Sequence, residues 1–284
     1  MPALTAPSTI CSGSLRKLCS RWLTGMGLTT LLVMTAGHAQ STTSNMPLVA
    51  AAANMQSALA ELVPLFEKEG THKVALSIGS SSTLLRQIQQ GLPAELFLSA
   101  DEDFAFKLAD AGLTTNRGAV YATGRIVLAT PKNSVLKLDP ELIGLGAALT
   151  TVSSGSPNNA PNGVSKFAIA NPELAPYGKA AVQALQKQAI WPLLQPNIVM
   201  GENIAQTTQY ISSGSAPAGI TALSLVLTPA VAVRVRYVVV DSALHAPIRQ
   251  RMVLLKTAGP TARAFYDFLL SPAAKRVLQR YGYE

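Results

Sequence analysis

Cysteine is almost absent from this sequence of 284 residues, which contains only Cys11 and Cys19. Histidine is also scarce, with three residues, and only 13% of the chain is charged. We find no Cys/His cluster with the spacing of zinc ligands, no Gly-x-Ser-x-Gly nucleophile elbow and no Gly-Lys-Ser/Thr of a phosphate-binding loop. These absences argue against a disulfide scaffold, a zinc centre and an ATP site.

A long hydrophobic run is also missing, since the longest one near the N-terminus covers residues 22–36. That run is short for a membrane span. Three basic residues precede it and Gly37-His38-Ala39 follows it, which is the pattern of a signal peptide. We therefore predict a signal peptide over residues 1–39 and a periplasmic protein, with an N-terminal anchor as the alternative. Cleavage would remove both cysteines, three basic residues and no acidic residue, so the formal net charge would fall from +8 to +5.

Apolar strands alternate with amphipathic helices along the rest of the chain. Strands are predicted over 47–53, 73–79 and 94–99, and a helix follows each one. Three β-α units in succession favour a parallel sheet with right-handed crossovers. Further strands are predicted within 121–131 and over 166–170, 198–200, 216–223, 233–240 and 252–255, and a helical segment over 259–281. The sequence therefore indicates an α/β protein. A basic run with interleaved aromatic residues, the usual sign of nucleic-acid binding, is not found.

Four residues stand at or next to predicted helix N-termini that follow a strand or a turn: Asn54, Ser81, Tyr177 and Ile204. The first N–H groups of a helix have no acceptor within the helix, and the helix dipole favours an anion there. In open α/β sheets, ligands bind beyond the carboxyl ends of the strands. The pattern is consistent with an oxyanion pocket made of neutral donors, although each residue taken alone is explained equally well as a cap or a core residue.

Three groups of motifs carry a resemblance to a known family. They are Ala51-Ala52-Ala53-Asn54 with Gly79-Ser80-Ser81-Ser82-Thr83-Leu84 and Arg86-Gln87-Ile88, then Gly91-Leu92-Pro93 with Leu96-Phe97-Leu98-Ser99-Ala100-Asp101, then Asn171-Pro172 with Pro176-Tyr177-Gly178 and the ending Arg280-Tyr281-Gly282-Tyr283. In this order and spacing they resemble the periplasmic molybdate-binding proteins of molybdate ABC transporters. The resemblance covers nearly all of the chain after the leader.

The resemblance implies a two-lobed type II periplasmic binding protein fold, in which each lobe is a mostly parallel sheet flanked by helices. It implies that Ser81 binds oxyanion oxygens through its hydroxyl and backbone N–H, and that Asn54 donates its amide. Tyr177 and Ile204 would contribute backbone N–H groups. Ala222 departs from the family, where several members have a Tyr that reaches the ligand, and the Tyr177 hydroxyl is one candidate to replace it from the other side.

Lobe I is predicted over 46–122 plus 241–284 and lobe II over 123–240. The expected ligand is molybdate or tungstate, held without direct metal ligation by the protein and without a cofactor. The expected partner is an ABC transporter permease in the inner membrane, and the protein is expected to be a monomer that does not bind nucleic acid.

Two other functions remain open on the sequence alone. The first is a binding protein for a different tetrahedral oxyanion, such as sulfate, phosphate or thiosulfate. The second is an exported serine hydrolase that uses Ser81, which follows a Gly by two positions. A hydrolase needs a base, and after the leader only His72 and His245 remain, both of which we predict at the surface.

Overall fold

The predicted alternation of strands and helices is present in a computed structural model, which describes residues 46–68, 70, 72–150 and 164–284. The predicted signal peptide lies outside the described residues. The strands are β1 (Leu48–Ala52), β2 (Ala75–Gly79), β3 (Ala94–Leu98), β4 (Ala119–Gly124), β5 (Ile126–Pro131), β6 (Phe167–Ala170), β7 (Ile198–Gly201), β8 (Ala218–Ala222), β9 (Val235–Val239) and β10 (Ile248–Leu254). The helices are α1 (Gln56–Lys68), α2 (Ser81–Gln89), α3 (Asp103–Asp110), α4 (Ile143–Thr150), α5 (Pro176–Lys187), α6 (Trp191–Leu194), α7 (Ile204–Ser212), α8 (Leu223–Val226), α9 (Pro229–Ala232), α10 (Pro260–Leu269) and α11 (Pro272–Arg280), with 3₁₀ turns at Ala53–Met55, Gln195–Asn197 and Ser242–Leu244.

Two five-stranded sheets share one topology. The first has the order β2-β1-β3-β10-β4 and the second the order β7-β6-β8-β5-β9. Strand β1 runs parallel to β2 and β3, and β6 runs parallel to β7 and β8. The fourth strand of each sheet, β10 or β5, is antiparallel to both of its neighbours. The fold is therefore α/β with two lobes, as predicted, and each sheet is mixed.

The chain passes between the two sheets twice. It leaves the first sheet at Arg125, between β4 and β5, and returns to it between β9 and β10. The strand predicted within 121–131 corresponds to β5 in the second sheet, and β4, which precedes it in the first sheet, was not predicted. The residue bounds predicted for the lobes stay a prediction.

The central strands of the two sheets are buried, and β1 extends to the boundary between the lobes. Residues Val49–Ala52 of β1 and all of β8 are buried, as expected for central strands covered on both faces. Small alanines in β1 and the turn that follows belong to an apolar cluster made mostly of residues of the second lobe. The carboxyl end of β1 therefore lies where the two lobes meet.

Proline has two different effects on the helices. Pro64 lies inside α1, which nevertheless continues to Lys68. The helix predicted over 259–281 is instead two helices, because Pro272 begins α11 and the Ser271 hydroxyl caps it by accepting a hydrogen bond from Ala274 N. Within the described part of the chain, every helix is too short or too polar to cross a bilayer.

Candidate oxyanion-binding site

The four residues singled out in the sequence come together at one small cavity. Asn54, Ser81, Tyr177 and Ile204 all line it. Its other lining residues are small or polar: Ala52, Ala53, Gly79, Ser80, Ala100, Ala175, Pro176 and Asn203. None of these described lining residues is charged, so the cavity offers only neutral hydrogen-bonding groups.

Ser81 occupies the first position of α2, where its backbone N–H has no acceptor within the helix. The residue before it, Ser80, caps this helix by accepting a hydrogen bond from Thr83 N. The buried Ser81 hydroxyl accepts a hydrogen bond from Ala100 N at 3.0 Å. Because a hydroxyl both accepts and donates, the Ser81 proton is available to an anion in the cavity.

Two more helices begin at the cavity from the second lobe. Tyr177 follows Pro176, which occupies the first position of α5, as proline often does. Ile204 is the first residue of α7, and the Asn203 side chain caps that helix by accepting from the two N–H groups that follow Ile204. Tyr177 and Ile204 therefore have first-turn N–H groups without an acceptor inside their helices.

The Asn54 side chain is fully buried, but its nitrogen bonds away from the cavity. Nδ2 donates to Gln250 Oε1 and to the Tyr283 hydroxyl, both at 2.9 Å. Gln250 and Tyr283 are not among the described residues that line the cavity. Within the described residues, Asn54 Oδ1 is buried and has no hydrogen-bond partner. The predicted amide donor is thus present at the site, but its nitrogen is hydrogen-bonded to other residues and its oxygen has no partner among the described residues.

The hydroxyl of Tyr177 has partners within the protein. It accepts a hydrogen bond from Gln250 Nε2 at 2.9 Å and lies against Gly124, where a Cβ atom would come within 2.1 Å of it. It therefore bonds to the other lobe beside the crossing at Arg125, and its replacement of the tyrosine missing at Ala222 stays a prediction. Ala222 is fully buried at the end of β8 and does not line the cavity.

Three phenols surround the buried amides. Burial raises the pKa of Tyr177 and Tyr121 well above the usual value, and it raises the pKa of Tyr283 to about 12. All three are therefore neutral at physiological pH. The cavity and the polar groups behind it then carry no charge of either sign.

The two lobes are joined by hydrogen bonds around the cavity. Ser82 N donates to Leu174 O at 3.1 Å, and the Ser224 hydroxyl donates to Asn54 O at 3.0 Å. Farther out, Lys179 and Asp103 form an exposed ion pair at 3.6 Å. Ser82 and Asn54 belong to the first lobe and lie in or beside the cavity lining, and both bond to residues of the second lobe. The lobes are therefore in contact at the cavity.

The two histidines of the described residues bond elsewhere than at Ser81. His72 lies 3.4 Å from the Thr261 hydroxyl, and His245 Nδ1 lies 2.8 Å from Ala246 O. His72 is exposed as predicted, but the prediction that His245 is a surface residue is wrong, since it is buried and burial lowers its pKa. The described residues also contain no group of three His, Cys, Asp or Glu side chains suited to a metal ion.

Comparison with known proteins places the chain in a family. Residues 47–284 match the family described as bacterial extracellular solute-binding protein. The chain belongs to this family. This solute-binding protein is 33% identical to the molybdate-binding protein ModA of Rhodobacter capsulatus, over 89% of this chain and 94% of that protein. It is 35% identical to ModA of Azotobacter vinelandii, over 83% of this chain and 88% of that protein.

A solved structure supports the same relationship. The periplasmic molybdate-binding protein of Azotobacter vinelandii matches with a TM-score of 0.72 at 29% identity, covering 84% of this chain and 98% of that one. The two-lobed fold and the resemblance found in the sequence are thus confirmed. Members of this family are transport components and not enzymes, so the interpretation of Ser81 as a nucleophile is set aside.

The sequence analysis missed Gln250 as a member of the site. Its signal is the alternation of β10, which puts Gln250 on the same buried face as Ile248 and Met252. The neighbours Arg249 and Arg251 turn to the other side, where both pair with Glu102. A lone amide on the apolar face of a strand is a candidate for a buried polar network, because it must be hydrogen-bonded there.

Proposed function

We propose that this solute-binding protein captures molybdate, or tungstate, in the cavity and delivers it to an ABC transporter permease. One observation carries the proposal: Asn54, Ser81, Tyr177 and Ile204 lie at helix starts in both lobes and line the same uncharged cavity. The relatives named for molybdate binding support the choice of ligand.

Neutral donors suit this ligand because hydrogen bonds from N–H and O–H groups to an oxyanion are charge-assisted and strong. Ser81 would donate through its hydroxyl and its N–H, while Tyr177 and Ile204 would donate through N–H groups. Asn54 would donate through its amide. Molybdenum would then be held as its oxyanion, with no protein atom bound directly to the metal.

Binding between lobes also provides a mechanism of release. An anion that contacts both lobes stabilises the closed arrangement by its higher affinity for it. We propose lobe I as 46–122 plus 241–284 and lobe II as 123–240, with movement at the two crossings. A permease that favours the open arrangement would lower the affinity and take up the anion. The same proposal includes export to the periplasm through the leader 1–39 and a monomeric protein.

The test is thermal unfolding of the chain from residue 40 onwards, with and without millimolar sodium molybdate, tungstate, sulfate or phosphate. A ligand at about 1,000 times its dissociation constant stabilises the folded state by about 4 kcal/mol. For a protein of this size the midpoint would rise by about 10 °C. A rise with molybdate and tungstate alone supports the proposal. A rise with sulfate or phosphate alone would identify a different oxyanion-binding protein, and no rise with any of them would refute anion binding.

A further inference from the structure

Gln250 connects polar groups of the two lobes through its side chain. It is fully buried in β10 of the first sheet. Its Oε1 accepts from Asn54 Nδ2 at 2.9 Å and from the Tyr121 hydroxyl at 2.8 Å. Its Nε2 donates to the Tyr177 hydroxyl of the second lobe at 2.9 Å. One amide therefore holds two residues of the cavity, Asn54 and Tyr177, at the same time.

The direction of these bonds leaves the cavity with the wrong atom for an anion. Because Asn54 Nδ2 points to Gln250 and Tyr283, Oδ1 is the end of the amide that is left for the cavity. Oδ1 is buried and, among the described residues, without a partner. A carbonyl oxygen only accepts, so it repels an oxygen of a fully deprotonated anion and would suit a ligand that carries a proton.

The same atomic positions also permit the reverse direction of bonding, since the oxygen and nitrogen of an amide have nearly the same shape. If both amides turn over, Gln250 Nε2 donates to Asn54 Oδ1 and to Tyr121, and Gln250 Oε1 accepts from the Tyr177 hydroxyl. The Tyr121 hydroxyl can then donate to Ser99 O, which lies 3.2 Å away.

The reverse direction also satisfies the groups around Asn54. In the direction seen here, the Tyr283 hydroxyl donates to the backbone oxygen Asn54 O at 2.8 Å. In the reverse direction, it donates to the side-chain oxygen Asn54 Oδ1. Asn54 O retains the hydrogen bond from Ser224. Among the described groups of this network, the two hydrogens of Asn54 Nδ2 are then without a partner, and they occupy the position that Oδ1 has here. An anion supplies the acceptor that they need.

We propose that Gln250 is a positioning residue whose amide direction determines which end of the Asn54 amide meets a fully deprotonated oxyanion in the cavity. The hydroxyls of Tyr121, Tyr177 and Tyr283 can donate or accept, so they fit either direction. Gln250 has a distinct donor and acceptor end, and it therefore determines which end of Asn54 meets the ligand. This inference rests on the proposed function, and it makes Gln250 a determinant of selectivity between protonated and unprotonated oxyanions.

The direct test is neutron diffraction from deuterium-exchanged crystals of the protein with sodium molybdate, preceded by calorimetry that establishes binding. We expect the Asn54 Nδ2 deuterons to point to molybdate oxygens, and Gln250 Oε1 to face the Tyr177 hydroxyl. Asn54 Nδ2 still donating to Gln250 in the complex would overturn the inference. Absence of molybdate and tungstate binding in the calorimetry would instead refute the proposed function.

A variant gives an independent readout in solution. In Gln250→Glu, the protonated carboxyl can donate to Asn54 and accept from Tyr177, whereas the ionised carboxylate only accepts and holds Asn54 in the direction seen here. We expect molybdate affinity to fall about tenfold for each pH unit above the pKa of the introduced carboxyl. The matched control is Gln183→Glu, which adds the same charge where Gln183 Oε1 accepts from Ala246 N, outside the cavity.

Calorimetry between pH 6 and 9 compares the two variants with the unmodified protein. Affinity that falls with pH in Gln250→Glu and stays level in Gln183→Glu supports the inference. Equal affinities of both variants at every pH would overturn it. If Gln250→Glu does not fold, Gln250→Met replaces it, and we then expect at least tenfold weaker molybdate binding at all pH values; unchanged binding in that variant would contradict the role given to Gln250.

Discussion

Removing the hydroxyl of Ser81 is the sharpest perturbation of the proposed ligand shell. In Ser81→Ala the helix start and the backbone N–H stay in place, and only one donor to the anion is lost. A hydrogen bond to a charged group contributes about 1.5–3 kcal/mol. Molybdate binding should therefore weaken by about 10- to 150-fold. Isothermal titration calorimetry with sodium molybdate measures this difference directly.

The same substitution has a separate effect on the free protein. The Ser81 hydroxyl accepts from Ala100 N at 3.0 Å, and in Ser81→Ala this buried N–H loses its partner. An unsatisfied buried donor costs about 1–3 kcal/mol. The thermal midpoint without ligand should fall by about 2–10 °C. Stability and affinity must therefore be measured separately, with calorimetry performed well below the lowered midpoint.

The next residue in the helix is the matched control. Ser82 is nearly as buried as Ser81, but its side chain is not among the described groups that line the cavity. Its backbone N–H bond to Leu174 O does not depend on the hydroxyl. Ser82→Ala should keep the molybdate dissociation constant within about twofold. Unchanged affinity in Ser81→Ala, or an equal loss in Ser82→Ala, would refute the assignment of Ser81 as a donor to the anion.

Three further predictions concern the contacts around the cavity. Gly124→Ala would place a Cβ atom 2.1 Å from the Tyr177 hydroxyl. We therefore expect the free energy of unfolding in urea to fall by about 1–3 kcal/mol and molybdate binding to weaken. An unchanged urea midpoint would contradict the close packing. Lys179→Ala breaks an ion pair with Asp103 in which both side chains are more than half exposed, so molybdate affinity in 150 mM salt should change less than about twofold, and a tenfold loss would mean that the pair holds the lobes closed. Burial raises the pKa of Tyr283 from 10.0 to about 12, so the unfolded state loses this proton first and stability should decline as pH rises from 10 towards 12. The decline should be shallower in Tyr283→Phe, measured by denaturant unfolding at pH 9, 10 and 11, and equal slopes would show that this phenol makes no contribution.

The sequence was sufficient to predict where the helix starts gather. Asn54, Ser81, Tyr177 and Ile204 follow strands or turns, and the rule that ligands bind beyond the carboxyl ends of parallel strands brings such positions together. The structure places all four at one cavity. Their roles as anion donors stay predictions.

The orientation of the Asn54 amide could not be predicted from the sequence. Its partners Gln250 and Tyr283 are 196 and 229 residues away along the chain, and local pattern carries no information about such pairs. The same limit explains the Tyr177 hydroxyl, which meets Gln250 only because β10 returns to the first sheet. Long-range contacts, and not local propensity, decided which atoms of these residues are available.

The predicted bounds of strands and helices were wrong where charged residues or proline interrupt an apolar pattern. Strand β10 begins at Ile248 and not at 252, because Arg249 and Arg251 pair with Glu102 on one side while Gln250 is buried on the other. His245 is buried although Pro247 follows it closely, since the return crossing packs against the second lobe.

The insertion of β10 between β3 and β4 has a consequence for the order of folding. All strands of the second sheet lie within residues 126–239, so that sheet can assemble from one continuous stretch of chain. The first sheet must wait for residues 248–254, and pairing over such a long separation is slow. Gln250 arrives with this strand. The hydrogen bonds from Gln250 to Asn54 and Tyr177 therefore require the completed first sheet, and we expect the binding site to be one of the last parts of the molecule to form.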